Sequence, residues 1–324
     1  MALVTRADLI AALLRLLEGE RLHLLRRMTS PNKARVKITW QQQRDSIRNW
    51  YEIPQVQLRQ NKLITGKEDE STFTYVARQF FTSNALSAVS LGCGTGSREI
   101  AWADTGRFKR IIGIDASEER IKDAKRKLLQ SAFGNVIEFV AGDVLHYPLD
   151  PESYDVVIAE GILHHLTPLE HILDRILLCL KPKGLLIVNE YVGPNRFQWT
   201  KKQVHFCNAL LSIIPEEIKT YRGTSIRKSR IFRPGTLSML IYDPSEAVES
   251  SRIMEILQKK FTILERKDYG GTILHPLLKD ISHHFVEMAP AKEKILHFLF
   301  EAEDYLLDIR AIESDFTFVI AQKA

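Results

Sequence analysis

Short apolar runs alternate with amphipathic segments through the middle of the chain. The runs predict five strands, over residues 88–91, 110–114, 136–141, 154–159 and 185–190. Between the first three, residues 97–103 and 118–129 place apolar side chains at helical spacing. Strands that alternate with helices in this way are typical of parallel βαβ units. The pattern therefore predicts an α/β sheet that begins near Ala85.

Leucines recur at helical spacing near the N-terminus, at positions 9, 13, 16 and 17. Thr5 and Asp8 have the spacing of a capping box at the start of this segment. Charged residues interrupt the leucine-rich residues 1–28, so we expect neither a membrane span nor an export signal there. We expect an amphipathic helix that packs on its own domain, forms a homodimer contact or covers an active site.

The pattern also predicts what flanks the five strands. Residues 31–84 are polar with scattered aromatic side chains and read as helices and loops, where 40–51 either packs on the following domain or contacts a substrate. Two more strands are predicted over 261–266 and 316–321, with helices between them over 277–287 and 291–312. The predicted units are a helical extension (1–84), a core (85–190), a largely helical cap (191–260) and a terminal part completing the core (261–324).

Composition is that of an ordinary globular protein. Hydrophobic residues make up 45% of the chain and charged residues 26%, which excludes a disordered chain. Three cysteines cannot form a disulfide framework, so a cytoplasmic location is expected. The 45 Lys and Arg against 40 Asp and Glu leave a net charge of +5, too small to indicate nucleic-acid binding.

Positive charge concentrates in one segment of the predicted cap. Residues 195–234 carry nine Lys or Arg against two Glu. Insertions after late strands cover the carboxyl edge of an open sheet, where ligands bind. The charge therefore predicts either attraction of an anionic acceptor or simply a solvated basic surface.

Candidate chemistry follows the predicted strand ends. The first strand leads into Gly92-Cys93-Gly94-Thr95-Gly96, where missing Cβ atoms let a ligand lie against the backbone. Asp115 ends the second strand and can accept two hydrogen bonds from a ribose diol. After the third strand, Asp143 can accept from an adenine amine while the Val144 nitrogen donates to the ring. These features suit either a dinucleotide or S-adenosylmethionine.

Residues 85–190 resemble the core of the class I S-adenosylmethionine-dependent methyltransferases, and especially the ubiquinone and small-molecule O-methylating group. The resemblance rests on an ordered series: Leu91-Gly92-Cys93-Gly94-Thr95-Gly96, Gly113-Ile114-Asp115-Ala116-Ser117, Gly142-Asp143-Val144, Tyr154-Asp155-Val156-Val157 followed by Leu163-His164-His165-Leu166, and Leu180-Lys181-Pro182-Lys183-Gly184. It implies a Rossmann-like sheet of seven strands with helices on both faces and a terminal antiparallel hairpin. The cofactor contacts it implies are Leu91, Gly92, Cys93, Gly94, Gly96, Asp115, Ala116, Asp143, Val144 and Glu160.

Two departures bear on this resemblance. The family often has an acidic residue at position 90 that holds the methionine amino group, and here Ser90 requires Glu160 or a backbone carbonyl instead. A dinucleotide oxidoreductase would want Gly or Ala at position 97, where Ser97 stands. We therefore expect S-adenosylmethionine as the cofactor. A catalytically inactive nucleotide-binding scaffold of the same fold is an alternative.

The expected reaction is methyl transfer to oxygen of a small or glycan-like, anionic acceptor, with nitrogen as the alternative and nucleic acid disfavoured. A hydroxyl acceptor benefits from a general base. His164 and His165 follow the fourth predicted strand and are candidates for it, as are Glu190 and His275. No metal site is expected, because the adjacent pairs His164–His165 and His283–His284 should diverge on a helix.

Overall fold

A computed structural model describes residues 3–17, 49–287 and 289–324. The leucine-rich segment beyond residue 17 and the predicted helices and loops of 31–48, with Trp40, lie outside the described residues. One sheet of seven strands forms the core, in the order β3-β2-β1-β4-β5-β7-β6. The strands are β1 (Leu86–Leu91), β2 (Phe108–Asp115), β3 (Ile137–Ala141), β4 (Tyr154–Glu160), β5 (Leu180–Tyr191), β6 (Thr262–Gly270) and β7 (Phe316–Gln322).

Strand direction confirms the predicted fold class. β1 to β5 pair in parallel, whereas β7 runs antiparallel to both β5 and β6. The chain order reverses between β1 and β4, and ligands bind beyond the carboxyl ends of the strands at such a reversal. The sheet topology therefore places the binding crevice beyond the carboxyl ends of β1 and β4.

Helices cover both faces of the sheet. Successive strand residues point to opposite faces. Accordingly, Ala88 packs in one cluster with Trp102, and Val89 packs in another with Leu169. The helices are α1 (Arg6–Leu17), α2 (Pro54–Thr65), α3 (Thr72–Gln79), α4 (Ser97–Asp104), α5 (Glu118–Leu129), α6 (Leu169–Cys179), α7 (Lys201–Ile213), α8 (Thr236–Tyr242), α9 (Ile253–Lys260), α10 (Leu274–Leu278) and α11 (Pro290–Asp308). None of these helices combines the length and apolar character needed to traverse a bilayer.

Some predicted bounds were wrong. The helix over 277–287 is divided into α10 and a 3₁₀ turn, Ser282–Phe285, because Asp280 between them has a left-handed φ of 66°. The predicted turn before β5 lies within β5 as a bulge. Lys183 there has a φ of 61°, and a Cβ on Gly184 would lie 2.9 Å from the Lys181 carbonyl oxygen. The left-handed backbone at Asp280 and Lys183 is therefore the reason that these bounds differ from the predicted ones.

The N-terminal helix α1 packs on its own chain. The Thr5 nitrogen donates to Asp8 Oδ2 over 2.6 Å, which is one of the two hydrogen bonds of the predicted capping box. Thr5 Oγ1 instead donates to the Arg233 carbonyl over 2.9 Å. The Gly235 nitrogen donates to Asp8 Oδ1 over 2.9 Å, and the Leu237 nitrogen donates to the Leu3 carbonyl over 3.0 Å. Asp8 therefore both caps α1 and joins it to the start of α8.

Candidate functional site

The glycine loop has the conformation that a backbone cradle requires. Gly92, Gly94 and Gly96 all have left-handed φ angles, of 68°, 57° and 78°. A Cβ on Gly96 would lie 2.5 Å from the Phe139 ring, so tight packing requires that glycine. A Cβ on Gly94 would meet only the Arg120 guanidinium, at 3.7 Å. The loop is thus closely packed at Gly96 and open at Gly94, where a ligand can approach the backbone.

Asp115 ties this loop to the end of β2. Its Oδ2 accepts a hydrogen bond from the Gly94 nitrogen over 2.9 Å, and its Oδ1 accepts from the Ser117 nitrogen over 2.8 Å. The carboxylate is buried, yet each oxygen retains capacity for a further donor. Asp115 is therefore held in place at the strand end where the sequence predicts a ribose contact.

The remaining predicted cofactor residues lie along the same edge. Asp143 follows β3 and is more than half exposed, with Oδ1 accepting from the Leu145 nitrogen over 3.0 Å. Glu160 ends β4, where its Oε2 accepts from Trp102 Nε1 over 3.2 Å. The fold brings the whole predicted set to the carboxyl ends of the first four strands: Leu91, Gly92, Cys93, Gly94, Gly96, Asp115, Ala116, Asp143, Val144 and Glu160.

The sequence analysis missed an acidic group beside Ser90. Ser90 Oγ donates to Glu99 Oε1 over 2.6 Å, and Glu99 is 1% exposed. Burial raises the pKa of Glu99 to about 7. Its Oε2 has no hydrogen-bond partner among the described residues. The sequence signal that could have identified Glu99 is its position on the inner side of α4, where an apolar residue is expected.

His164 lies between two carboxylates. Its Nδ1 is 2.5 Å from Glu190 Oε2, and its Nε2 is 3.4 Å from Glu246 Oε1. Burial favours the neutral ring, but the two carboxylates outweigh it and raise the pKa of His164 to about 10. An imidazolium has no lone pair to accept a proton. His164 can act as the general base only where it has lost this proton, so that role stays a prediction.

His165 is neutral and faces the same way as His164. Burial, together with the charge of His164, lowers the pKa of His165 to about 3. The two ring centroids are 4.0 Å apart, because a 3₁₀ turn, Leu163–His165, carries both residues. The premise that these side chains diverge was therefore wrong. One ligand atom from each histidine and one from Glu246 lie within 4.8 Å of one another.

Glu190 and His275 are both buried. Glu190 Oε1 accepts from the Leu163 nitrogen over 2.9 Å, so this carboxylate holds the histidine turn against the end of β5. His275 contacts the rings of Tyr191, Phe197 and Trp199, and burial lowers its pKa to about 3. Glu190 acts here as a positioning residue, and His275 is a neutral member of an aromatic cluster.

A cavity of about 280 Å³ adjoins the His164 cluster. Its border includes Asp243 and Glu246, and α1 covers it with apolar side chains. The lining is largely aliphatic and aromatic: Ala7, Ile10, Ala11, Leu14, Phe197, Trp199, Tyr221, Ile231, Phe232, Met239 and Tyr242. We call this space the α1 cavity. The sequence analysis did not identify Asp243 or Glu246, since neither is adjacent to a recognised motif.

The basic segment contributes little charge to this cavity. Of its nine cationic residues only Lys228 and Arg230 line the space. Lys228 Nζ already donates to the Pro276 carbonyl over 2.8 Å. Lys279 adds one cation, while Asp8, Asp243, Glu246 and Asp280 add four carboxylates. The lining is therefore of mixed charge.

The glycine loop after β1 is in contact with the histidine turn after β4. A Cβ on Gly92 would lie 2.7 Å from the Ile162 side chain, and Ile162 directly precedes the histidine turn. The Gly161 nitrogen donates to the Asn189 carbonyl over 2.8 Å. The glycine loop, the histidine turn and the end of β5 thus form one continuous site.

Comparison with known proteins agrees with this geometry. A family described as a methyltransferase domain matches residues 83–261, more than half of the chain. The demethylmenaquinone methyltransferase of Lactococcus lactis is 29% identical over 168 residues, which cover 52% of this chain and 62% of that protein. The sterol 24-C-methyltransferase of Candida albicans is 26% identical over 133 residues, which cover 40% of this chain and 34% of that protein. The chain thus matches only part of each relative.

A solved structure is also similar. The phosphoethanolamine N-methyltransferase 2 of Haemonchus contortus, in complex with S-adenosyl-L-methionine, aligns with 76% of this chain and 51% of that chain, at 15% identity and a TM-score of 0.47. The family match covers the glycine loop, both predicted aspartates and the histidine turn. It confirms the resemblance seen in the sequence: the chain belongs to the class I S-adenosylmethionine-dependent methyltransferases.

Proposed function

We propose that this protein transfers the methyl group of S-adenosylmethionine to an oxygen of a small, largely apolar molecule held in the α1 cavity. The observation that carries the proposal is the position of this cavity. Glu246 belongs both to its lining and to the cluster around His164, which adjoins the glycine loop through Ile162. An acceptor in the cavity would therefore lie beside the cofactor.

Positioning supplies most of the catalysis in this proposal. Orienting two reactants contributes roughly 7–11 kcal/mol at best. The cavity suits this task because rigid aromatic side chains line it and α1 closes it. Asp243 and Glu246 offer carboxylate oxygens that can accept a hydrogen bond from an acceptor hydroxyl. An acceptor amine would bind the same groups, so nitrogen remains the alternative atom.

The nature of the acceptor follows from the lining. Aliphatic and aromatic side chains favour an apolar body, and the mixed charges favour polar groups rather than a strongly anionic molecule. The predicted anionic or glycan-like acceptor has less support, because most of the basic segment lies outside the cavity. An apolar molecule with a hydroxyl is the acceptor class that we favour.

The experiment is incubation of the protein with methyl-labelled S-adenosylmethionine and a fractionated metabolite extract. We expect label in a fraction of apolar small molecules, and spectroscopy of the product identifies the methylated atom. Label on nitrogen would replace the oxygen assignment. Cofactor binding without label in any fraction would favour the inactive scaffold.

A matched pair of variants tests whether the α1 cavity holds the acceptor. Ala11→Trp adds a large side chain to the lining, whereas Leu13→Trp changes a residue of the same helix that is 46% exposed. Overpacking costs about 1–3 kcal/mol, which corresponds to roughly 5- to 150-fold in affinity. We expect Ala11→Trp to lower kcat/KM for the acceptor by about that factor with cofactor affinity unchanged. Equal activity of the two variants would exclude this cavity.

A further inference from the structure

Three potential metal ligands converge at the wall of the α1 cavity. They are His164, His165 and Glu246, and one ligand atom from each lies within 4.8 Å of the other two. The side chain of His164 is 12% exposed and that of Glu246 is 24% exposed. The group is therefore mostly enclosed, yet reachable through the cavity that Glu246 lines.

Each of the two histidines has a hydrogen-bonding group beside its Nδ1 atom. Glu190 Oε2 lies 2.5 Å from His164 Nδ1, which leaves Nε2 as the nitrogen facing Glu246. A metal at Nε2 would displace the proton that this nitrogen carries in the imidazolium, so metal binding would release a proton. Ser245 Oγ lies 3.3 Å from His165 Nδ1, and that hydroxyl donates to Asp243 Oδ1 over 2.5 Å. Metal-binding histidines almost always use one ring nitrogen for such a partner, which fixes the orientation of the other.

The second adjacent pair lacks these features. The rings of His283 and His284 are 4.1 Å apart, nearly the spacing of His164 and His165. Within the part of the chain that the structure describes, no third ligand joins His283 and His284 in a cluster. His284 Nε2 instead lies 3.0 Å from Thr220 Oγ1. The pair His164 and His165 is therefore distinguished by its third ligand, Glu246, and not by the distance between its rings.

We propose that His164, His165 and Glu246 bind a divalent first-row transition metal. Two imidazoles and one carboxylate form the donor set of several zinc and non-haem iron sites that keep a coordination position open. The nearby carboxylates of Glu190 and Asp243 favour a cation at this position. If the proposed methyl transfer is correct, the metal also borders the acceptor, whose oxygen would bind the open position.

Calorimetric titration with Zn²⁺ tests this directly. The full chain is used without a histidine tag, after removal of metals with a chelator. We expect one equivalent to bind and Glu246→Gln to weaken binding by at least tenfold. Glu190→Gln removes the charged partner of His164 and keeps an oxygen that can accept from the Leu163 nitrogen, and it should weaken Zn²⁺ binding by about 10–100-fold. His283→Ala is the matched control and should bind as the wild type does.

Three results would overturn the proposal: no stoichiometric Zn²⁺ binding by the wild type, unchanged binding by Glu246→Gln, or an equal loss in His283→Ala. Thermal unfolding and S-adenosylmethionine binding show whether each variant is folded. A bound metal should raise the melting temperature of the wild type but not that of Glu246→Gln. Because these readouts need no methyl transfer, failure here and failure of the proposed function remain distinguishable.

Discussion

The proposed site has a cofactor half around the glycine loop and an acceptor half around the α1 cavity, and the two halves are built differently. In the cofactor half, Gly92, Gly94 and Asp115 lie within 24 residues of one another and act through a single loop and two strand ends. In the acceptor half, His164, Glu190 and Glu246 come from three separated segments. Local motifs therefore specify one half, and long-range packing specifies the other.

The two halves also differ in how their charges are satisfied. Backbone nitrogens of Gly94 and Ser117 donate to Asp115, so this carboxylate needs no distant partner. His164, by contrast, depends on carboxylates that lie 26 and 82 positions away along the chain. Ionisation in the acceptor half is consequently a property of the folded chain. Substitutions in each half should reveal this difference.

The largest expected effect is that of Asp115→Ala on the cofactor half. It removes the predicted ribose acceptor, and hydrogen bonds to charged groups contribute about 1.5–3 kcal/mol each. Two such bonds to the ribose contribute at least about 3 kcal/mol, so we expect S-adenosylmethionine affinity to fall by roughly 100-fold or more in calorimetry. Asp104→Ala, at an exposed position at the end of α4, is the control and should bind normally. Unchanged affinity of Asp115→Ala would remove this residue from the cofactor site.

Glu99→Gln should have a smaller effect, seen in the pH dependence of stability. The folded-state pKa of Glu99 is about 7, above the ordinary value for an unfolded glutamate. The stability that this group contributes is therefore complete below about pH 4.5 and lost as pH rises through 7. The shift corresponds to about 3 kcal/mol.

Urea unfolding at pH 5 and pH 8, without cofactor, measures this effect. The wild type should lose more unfolding free energy over that interval than Glu99→Gln, by up to about 3 kcal/mol. Parallel losses in the two proteins would show that Glu99 ionises normally. A larger loss in the wild type would show that the cofactor half also contains a group, Glu99, whose ionisation is controlled by burial in the folded chain.

The smallest expected effect is that of Asp8→Ala on the cover of the acceptor half. Loss of a helix N-cap contact costs about 0.5–2 kcal/mol. Asp8 also accepts from the Gly235 nitrogen, so α1 should separate more often from α8. We expect faster amide hydrogen exchange over residues 3–17 and a higher KM for the acceptor. Leu9→Gln, at a 65% exposed position of α1, should leave both nearly unchanged. Unaltered exchange in Asp8→Ala would mean that other contacts hold the helix.

The accuracy of the predicted helix and strand bounds differs from one element to the next. The helix Glu118–Leu129 was predicted with the bounds that the structure shows, because its apolar period is regular and Ser117 caps it. The hairpin strands β6 and β7 were predicted within a few residues, since both contain aromatic and β-branched side chains of high strand propensity. The break at Asp280 was missed, because its left-handed backbone leaves no mark on an apolar pattern.

The residues of the candidate site also divide into those that the sequence could identify and those that it could not. The glycine loop and the carboxylates Asp115 and Asp143 could be identified because each occupies a fixed place in a local turn. Glu99 beside Ser90, and Glu246 beside His164, could not be found by spacing. Glu99 follows Ser90 by nine positions, and its place on the inner side of α4 was the signal that could have found it. His164 and Glu246 meet only when separate segments pack, and no short-range rule connects their positions.

The sequence alone determined the fold class, because periodicity and turn residues act over a few positions. Its ordered series of motifs also indicated the family and the predicted cofactor edge, through resemblance to known methyltransferases. Tertiary structure alone decided the ionisation of His164, the convergence of His165 and Glu246, and the closure of the α1 cavity by α1. The physical reason is that charge interactions and burial depend on distance in space. Residues 164 and 246 become neighbours only after the sheet and the cap have folded together.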